Sequence, residues 1–150
     1  MAQSLAQLYT HIIFSTKNHH PFIKSNVEKE LFAYMGGVIK NMGGIPFQIN
    51  GTPNHVHVFS NLPRTVSLSK FLEEIKRNSS KWVKTKGKDY QKFAWQNGYA
   101  GFSVSSSKKD IVIRYIANQK DHHRKQTFKE ELIGFLKEYE VEYDEKFLWD

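Results

Sequence analysis

The sequence predicts an α+β fold: a ferredoxin-like, split βαβ antiparallel sheet with helices on one face and additional helices at the C-terminus. Segments rich in β-branched and aromatic residues alternate along the chain with segments whose apolar residues recur three and four positions apart. The resulting order is strand, helix, strand, strand, helix, strand, followed by two further helices. Because the first six elements match the split βαβ order, the sequence favours this fold class.

Four segments are predicted to form the strands. They cover residues 8–15, 45–50, 56–62 and 95–106. The first, LYTHIIFS, is typical of a strand in its β-branched and aromatic content, and Thr52, Pro53 and Asn54 form a turn between the second and third. The second and third strands are therefore expected to pair as a β-hairpin.

Four helices are predicted, and a residue that can cap the first turn precedes each of them. The capping residues and their partners are Ser25 with Glu28, Ser67, Ser107 with Asp110, and Thr127 with Glu130. Gly43 and Gly44 are expected to end the first helix, and the third helix runs through Tyr115 to about His122.

One domain, residues 1–150, is expected, because no internal repeat or Pro/Gly-rich linker divides the chain. Residues 127–150 are interpreted as a helical extension of that domain. Its last apolar residues, Phe147, Leu148 and Trp149, are expected to fold back onto the body, because a free apolar tail is unfavourable in water.

The composition excludes several classes of protein. Hydrophobic residues make up 39% and charged residues 25% of the chain, which argues against global disorder. No apolar run approaches the ~18 residues that span a bilayer, and residues 1–6 lack the features of a signal peptide. The absence of cysteine excludes disulfides and thiolate metal sites and is consistent with a cytoplasmic location.

The net charge of +7 is unevenly distributed along the chain. Residues 128–150 contain three basic and eight acidic side chains, whereas residues 1–127 contain 19 basic and seven acidic ones. A basic body favours a polyanionic partner such as nucleic acid. A soluble basic protein without such a partner has the same excess, so charge alone leaves both possibilities open.

The third predicted strand carries two histidines, His55 and His57, with Val56 between them. Alternate side chains of a strand share a face, so the two imidazoles can bind one divalent cation and leave coordination positions open for catalysis. Two surface histidines on a half-buried strand would give the same pattern. A histidine-triad nucleotide hydrolase also uses His-x-His, but it needs a third His where this chain has Phe59, which disfavours that class.

The third predicted helix places four residues on one face: Val112, Tyr115, Ile116 and Gln119. Gln119 offers a carbonyl oxygen as a further metal ligand, one turn from the phenol of Tyr115. A phenol with a pKa near ~10 is a poor nucleophile at neutral pH, but it can attack a phosphodiester that a metal polarises. A tyrosine on an apolar helix face is usually a core residue, and only the combination with the histidine pair makes Tyr115 a candidate nucleophile.

Together these residues resemble the single-tyrosine HUH transposases of small insertion sequences, including those associated with repetitive extragenic palindromes. HUH denotes His, a hydrophobic residue and His, here His55-Val56-His57. The resemblance extends from Tyr9 to about Trp149. Its other motifs are Pro53-Asn54, the helix with Leu72, Lys76, Ser79 and Ser80, the segment from Trp95 to Tyr99, Phe102-Ser103-Val104, and Tyr115-Ile116-Ala117-Asn118-Gln119 followed by His122 and His123.

The resemblance implies a role for each of these site residues. His55 and His57 bind the metal, with Gln119 as third ligand, and the family's metal is Mg²⁺ or Mn²⁺. Tyr115 attacks the scissile phosphate of single-stranded DNA, which gives a 5′-phosphotyrosine link and frees a 3′-OH. Attack by a 3′-OH on that link then rejoins strands without an external energy source. The residues alone do not choose the metal, since imidazole suits zinc equally well.

The resemblance also implies partners. Members of the family are homodimers whose sheets join edge to edge, and they recognise a DNA hairpin near the ends of the element. Candidates for the DNA contact are Lys17, Asn18, Arg64, Lys76, Arg77 and Lys81. Many relatives carry Arg after the Thr-Lys segment of the first strand. This chain differs from them, because it has His19 and His20 there. His122 and His123 are expected to be exposed or to face phosphate, because they lie beyond the Tyr115–Gln119 face.

Two other functions remain open from the sequence. A non-catalytic DNA- or RNA-binding module on the same sheet would need the basic body but neither Tyr115 nor the metal. An HUH nickase of replication or plasmid transfer would use the same residues, although such enzymes are usually parts of larger proteins.

Overall fold

The computed structural model describes residues 2–146 and 148, and the predicted α+β fold is confirmed. Four strands form one antiparallel sheet in the order β2-β3-β1-β4. The strands are β1 (Tyr9–Ser15), β2 (Pro46–Thr52), β3 (His55–Asn61) and β4 (Ala100–Val104). The helices are α1 (Glu28–Asn41), α2 (Leu68–Lys84), α3 (Lys109–Ala117), α4 (Gln119–His122) and α5 (Phe128–Glu138).

One face of the sheet packs against α1 and α2 and forms the main hydrophobic core. Alternate residues of β1 and β3, such as Ile12 and Val58, point into this core and are fully buried. Leu31 of α1 and Ile75 of α2 cover them, as expected for the two crossover helices of a split βαβ sheet.

The additional C-terminal helices cover the opposite face of the sheet. Ile116 of α3 packs on Phe59 of β3, and the apolar side of α5, including Leu132, packs on Ile13 and Phe102. The histidines of β3 lie on this second face, so helices that follow the split βαβ core enclose them. Within residues 2–146 and 148, no helix is long and apolar enough to cross a membrane.

The fourth strand is shorter than the predicted segment 95–106. Trp95 makes one isolated bridge with Thr16, but the chain then leaves the sheet until Ala100. The Nζ of Lys76 lies 3.0 Å from the carbonyl oxygen of Gln96 and 2.5 Å from that of Gly98. Because these carbonyls accept from an ammonium group, the segment forms a loop instead of a continuous strand.

The predicted third helix is broken into α3 and α4 at Asn118, whose φ and ψ are −99° and 21°. The side chain of Asn50 on β2 explains the break. Its Nδ2 donates to the carbonyl oxygens of Ile116 and Ala117, at 3.0 and 3.2 Å. These carbonyls of the last turn of α3 thereby gain a hydrogen-bond donor from outside the helix. As a result Gln119 belongs to a new helix and is not one regular turn from Tyr115.

Two of the four predicted caps are present. Ser67 accepts from the backbone N–H of Lys70, and Thr127 forms a capping box with Glu130. The caps at Ser25 and Ser107 were wrong: α1 begins after Val27 without a side-chain cap, and α3 follows a 3₁₀ turn, Ser106–Lys108. Both helices are entered through a preceding turn, whose backbone takes the place of the capping side chain.

The predicted return of the C-terminal residues concerns Phe147, Leu148 and Trp149. Leu148 is partly buried and packs on the cluster of Ile13 and Phe102. Phe147 and Trp149 lie outside the described residues.

Gly51 of β2 sets the closest approach between β2 and the histidine strand. A Cβ at Gly51 would lie 2.9 Å from Val56 Cα and closer still to the backbone oxygen of His55. Gly51→Ala is therefore expected to lower the free energy of unfolding by about 1–3 kcal/mol, since backbone atoms cannot move aside cheaply. Urea unfolding followed by circular dichroism measures the change.

Gly134→Ala is the matched control, because nothing lies within 4 Å of the added Cβ on the exposed side of α5. Gly134→Ala is expected to raise the free energy of unfolding by up to about 1 kcal/mol, because alanine favours a helix more than glycine does. Equal stability of the two variants would contradict the steric role of Gly51.

Candidate metal and tyrosine site

The site begins with His55 and His57, which share one face of β3 and are fully buried. The Nδ1 of His55 lies 2.8 Å from Thr52 Oγ1 and 2.9 Å from Asn54 Oδ1. An amide oxygen only accepts hydrogen bonds, so Asn54 holds the proton of His55 on Nδ1. The lone pair of His55 is therefore on Nε2, which points into the site.

A third histidine, His11 of β1, positions His57. Its Nε2 lies 2.8 Å from Nδ1 of His57, and its side chain is buried on the same face of the sheet. A neutral partner on the far ring nitrogen fixes the orientation and tautomer of a metal-binding histidine. His11 was not among the predicted site residues, although its alternation with Ile12 on β1 places it on the face of His55 and His57.

Glu131 of α5 occupies the centre of the site. Its Oε1 lies 2.9 Å from Nε2 of His57, 3.1 Å from Nε2 of His123 and 3.3 Å from Nε2 of His55. Its Oε2 accepts the hydroxyl of Tyr115 and lies 3.1 Å from Nε2 of Gln119. One carboxylate thus contacts the proposed nucleophile, Tyr115, and all three proposed metal ligands.

Burial and charge act in opposite directions on this cluster. Burial lowers the pKa of His55 to about 4 and also lowers those of His57 and His11. Burial alone would raise the pKa of the Glu131 carboxyl, but contacts with His123, His55 and His57 outweigh it and hold that pKa well below its usual range. Neutral His55 and His57 around an ionised carboxylate give a buried site that attracts a cation.

Tyr115 lies at the edge of this cluster. Its ring centroid is 6.0 Å from that of His57, and His122 stacks on it at 4.3 Å. Burial and the hydrogen bond to Glu131 raise the pKa of its phenol. The hydroxyl is therefore protonated in this arrangement, and its proton points at Glu131.

The donor atoms could hold a metal ion. One ligand atom each from His55, His57, His123 and Glu131 lie within 4.8 Å of one another. Two buried acceptors at the site, Nε2 of His55 from this set and Oε1 of Gln119, form no hydrogen bond with the described residues. Buried polar atoms without partners are costly, and a shared cation would satisfy both.

His123 is not exposed, contrary to one of the two placements expected for it. The turn after α4 brings its Nε2 to Glu131, and only 14% of its side chain is exposed. The break at Asn118 is the physical reason, because it redirects the chain after Tyr115.

Glu131 was also missed, but the sequence carried a signal for it. It lies three residues after Phe128 and four before Phe135, which places a carboxylate on the apolar side of α5. Acidic residues are almost never fully buried unless they are paired.

The six proposed DNA contacts lie in different parts of the surface. Lys17 and Asn18 line one groove, whereas Lys76 and Arg77 line another. Arg77 forms an ion pair with Glu74 at 2.8 Å, and the ammonium of Lys76 is held by the loop carbonyls described above. The remaining two, Arg64 and Lys81, are exposed and line neither groove.

Comparison with known families identifies the group to which this fold and site belong. The family described as "Transposase IS200 like" matches residues 4–119. The chain belongs to the IS200-like transposase family. This match agrees with the resemblance found in the sequence and includes His55, His57, Tyr115 and Gln119, but it ends before His123 and Glu131.

Solved structures of similar fold include two transposases. A proposed transposase from Deinococcus radiodurans R1 is 20% identical, covers 79% of this chain and 98% of its own, and has a TM-score of 0.61. A REP-associated tyrosine transposase bound to a REP hairpin is 14% identical, covers 82% of this chain and 74% of its own, and has a TM-score of 0.56. No curated protein matches the sequence. At these identities the two structures support the fold of this IS200-like transposase.

The buried histidines predict a loss of stability on acidification of the metal-free protein. A histidine whose pKa is lowered by folding stabilises fully above its unfolded pKa of about 6.5, and this contribution is lost as the pH falls toward the folded value. For His55, whose folded pKa is about 4, the loss by pH 5 is about 2 kcal/mol. Urea unfolding in EDTA at pH 7.5 and pH 5 measures it.

The matched pair for this prediction is His55→Gln and His20→Gln. His55→Gln is expected to reduce the pH dependence of the free energy of unfolding. His20→Gln changes an exposed histidine and is expected to leave that pH dependence unchanged. An unfolding free energy that stays constant or rises between pH 7.5 and pH 5 would argue against neutral buried imidazoles.

Proposed function

We propose that this IS200-like transposase cuts and rejoins single-stranded DNA at the ends of an insertion sequence, with Tyr115 as the nucleophile. The hydroxyl of Tyr115 attacks the scissile phosphate, forms a 5′-phosphotyrosine link and releases a 3′-OH. One observation carries the proposal: the Tyr115 hydroxyl and the two imidazoles of His55 and His57 converge on a single carboxylate within one chain.

We propose that the site holds a divalent metal on His55 and His57, with Gln119 as a further ligand. The buried Nε2 of His55 and Oε1 of Gln119, which form no hydrogen bond with the described residues, support this assignment. When bound, the metal would polarise the scissile phosphate. Of the family's two ions, Mn²⁺ fits this imidazole-rich site better than Mg²⁺, which prefers oxygen ligands in an octahedron.

The side chains around the site orient the attack. Stacking on His122 holds the ring of Tyr115, and Gln119 donates to the same carboxylate oxygen that accepts the Tyr115 hydroxyl. Religation uses the phosphotyrosine link itself: a 3′-OH attacks the phosphorus, and the phenol leaves. The bond energy is conserved, so strand transfer needs no nucleotide cofactor.

We propose that the DNA partner carries a hairpin near the element end, a partner type that the solved REP-associated relative binds. The basic body of the chain supports this proposal, with Lys17, Asn18, Arg64, Lys76, Arg77 and Lys81 as contacts. Contacts to phosphate would make binding fall steeply with salt.

A homodimer joined edge to edge is proposed as the working assembly. The sheet has two edge strands, β2 and β4. Tyr115 already lies beside the histidine pair of its own chain, so the dimer is not needed to bring these groups together.

Tyr115→Phe is expected to abolish the covalent protein–DNA adduct, because it removes the attacking oxygen. The substrate is a labelled, hairpin-bearing single strand from the ends of the element that encodes the chain, with Mn²⁺ present. Denaturing electrophoresis detects the adduct. Metal affinity and DNA binding are expected to be retained, and Tyr143→Phe, which changes a more exposed phenol, is the matched control.

The outcomes separate the candidate functions. Salt-sensitive binding by the wild-type chain without any adduct would indicate a non-catalytic nucleic-acid-binding module. An adduct without strand transfer between two element ends would indicate a nickase.

His11→Phe is expected to weaken Mn²⁺ binding about 10- to 100-fold, because outer partners of metal-binding histidines contribute on this scale. The substitution fills the buried volume but leaves Nδ1 of His57 without its partner at 2.8 Å. Isothermal titration calorimetry measures the affinity. His20→Phe makes the same change at an exposed position and is expected to bind Mn²⁺ like the wild type; equal affinities in all three proteins would exclude the positioning role.

A further inference from the structure

We propose that Glu131 is a catalytic residue whose two carboxylate oxygens have separate tasks: Oε1 binds the metal, and Oε2 accepts the proton of the Tyr115 hydroxyl. This inference rests on the proposed function. Glu131 lies on α5, beyond the residues 4–119 that the family match covers.

The surroundings of Oε1 are those of a metal ligand. The Nε2 atoms of His57, His123 and His55 lie 2.9, 3.1 and 3.3 Å from it. Ligands bound at about 2.1 Å to one ion are themselves about 3.0–3.4 Å apart in octahedral or tetrahedral geometry. The three distances from Oε1 match this spacing, and all four atoms lie within 4.8 Å of one another.

Oε2 lies where a base for Tyr115 would have to lie. It accepts the hydroxyl of Tyr115 directly, and Nε2 of Gln119, 3.1 Å away, fixes the carboxylate plane. A candidate base must lie within hydrogen-bond reach of the proton that it removes, and Glu131 fulfils this condition in the described chain. A phenol is a weak nucleophile unless an adjacent base receives its proton.

An open groove gives access to the tyrosine without removal of α5. It runs between β4, α3 and α5 and is lined by His11, Ser103, Ser105, Lys108, Tyr115 and Tyr139. Lys108 provides a cation for a phosphate that enters from this side. Since the substrate can approach from the groove, Glu131 can keep its contacts during the reaction.

The bond between the Tyr115 oxygen and phosphorus forms as the bond from phosphorus to the 3′ oxygen breaks. The phenol proton moves to Oε2 of Glu131, and the leaving 3′ oxygen takes a proton from solvent. In religation the 3′-OH loses its proton to solvent, and Glu131 returns its own proton to the phenol as Tyr115 leaves.

A rival interpretation makes Glu131 a plug that keeps the metal out of the histidine cluster. The two roles predict opposite results when the carboxylate is replaced by the isosteric amide. Glu131→Gln keeps the shape of the side chain but removes its charge and most of its basicity. Glu142→Gln makes the same change at an exposed position beyond α5 and is the matched control.

The experiment uses the full chain and has two measurements. Mn²⁺ affinity is determined by calorimetry and by the loss of the electron paramagnetic resonance signal of free Mn²⁺. The rate of adduct formation is then measured at saturating Mn²⁺, which isolates the proton transfer from metal loss. Glu131→Gln is expected to bind Mn²⁺ at least about tenfold more weakly and to form the adduct about 100-fold more slowly. Glu142→Gln is expected to match the wild type in both.

Other outcomes have defined meanings. Equal or tighter Mn²⁺ binding by Glu131→Gln, or an adduct rate that is unchanged or faster at saturating Mn²⁺, overturns the assignment. The wild-type protein tests the proposed function separately. If it binds Mn²⁺ and forms the adduct, the proposed function stands even when the Glu131 assignment fails. If it does neither, the proposed function itself is overturned. If Glu131→Gln does not fold, as shown by circular dichroism in EDTA, Glu131→Asp takes its place. That variant keeps the charge but retracts the oxygens by one carbon, and the same losses are expected.

Discussion

The carboxylate of Glu131 holds the two halves of the site together. Burying a carboxylate costs several kcal/mol unless charge-assisted hydrogen bonds replace its hydration. Here the donors come from separate segments: His57 of β3, Tyr115 of α3, Gln119 of α4 and His123 in the following turn. Because each donor is on a different element, the carboxylate position requires all of them to be in place. The docking of α5 on the sheet therefore depends on the same residues that form the site, in addition to its apolar contacts.

The register of β3 decides which side chains face that carboxylate. His55 and His57 alternate with Val56 and Val58, so one strand supplies imidazoles to one face and core residues to the other. A shift of one residue would bury the histidines among the apolar side chains of α1 and α2 and expose the valines to the site. The hydrophobic core on the far face thus fixes the positions of the two histidines without contacting their imidazoles.

The fold and half of the site followed from local sequence patterns. Alternation predicted that His55 and His57 share a face, and helical spacing predicted that Tyr115 and Gln119 lie close together. The rest depends on tertiary contacts that no local pattern contains. The side chain of Asn50, far away in sequence, ends α3 and thereby turns His123 inward. Glu131 can be buried on the otherwise apolar side of α5 because His55 and His57 of the sheet pair with its carboxylate.

The break between α3 and α4 has a consequence for how the tyrosine can move. A single helix would carry Tyr115 and Gln119 as one rigid unit, so displacement of Tyr115 would also remove the Gln119 amide from the histidines. With Asn118 between them, each residue is on its own helix, and Asn50 of β2 anchors only the end of α3. If Tyr115 left this site for the site of a second chain, its contact with Glu131 and the hydrogen bonds from Asn50 would have to break. Gln119 and His123 could meanwhile stay with the histidine pair, so the cost of exchange falls on a few polar contacts and on the packing of α3.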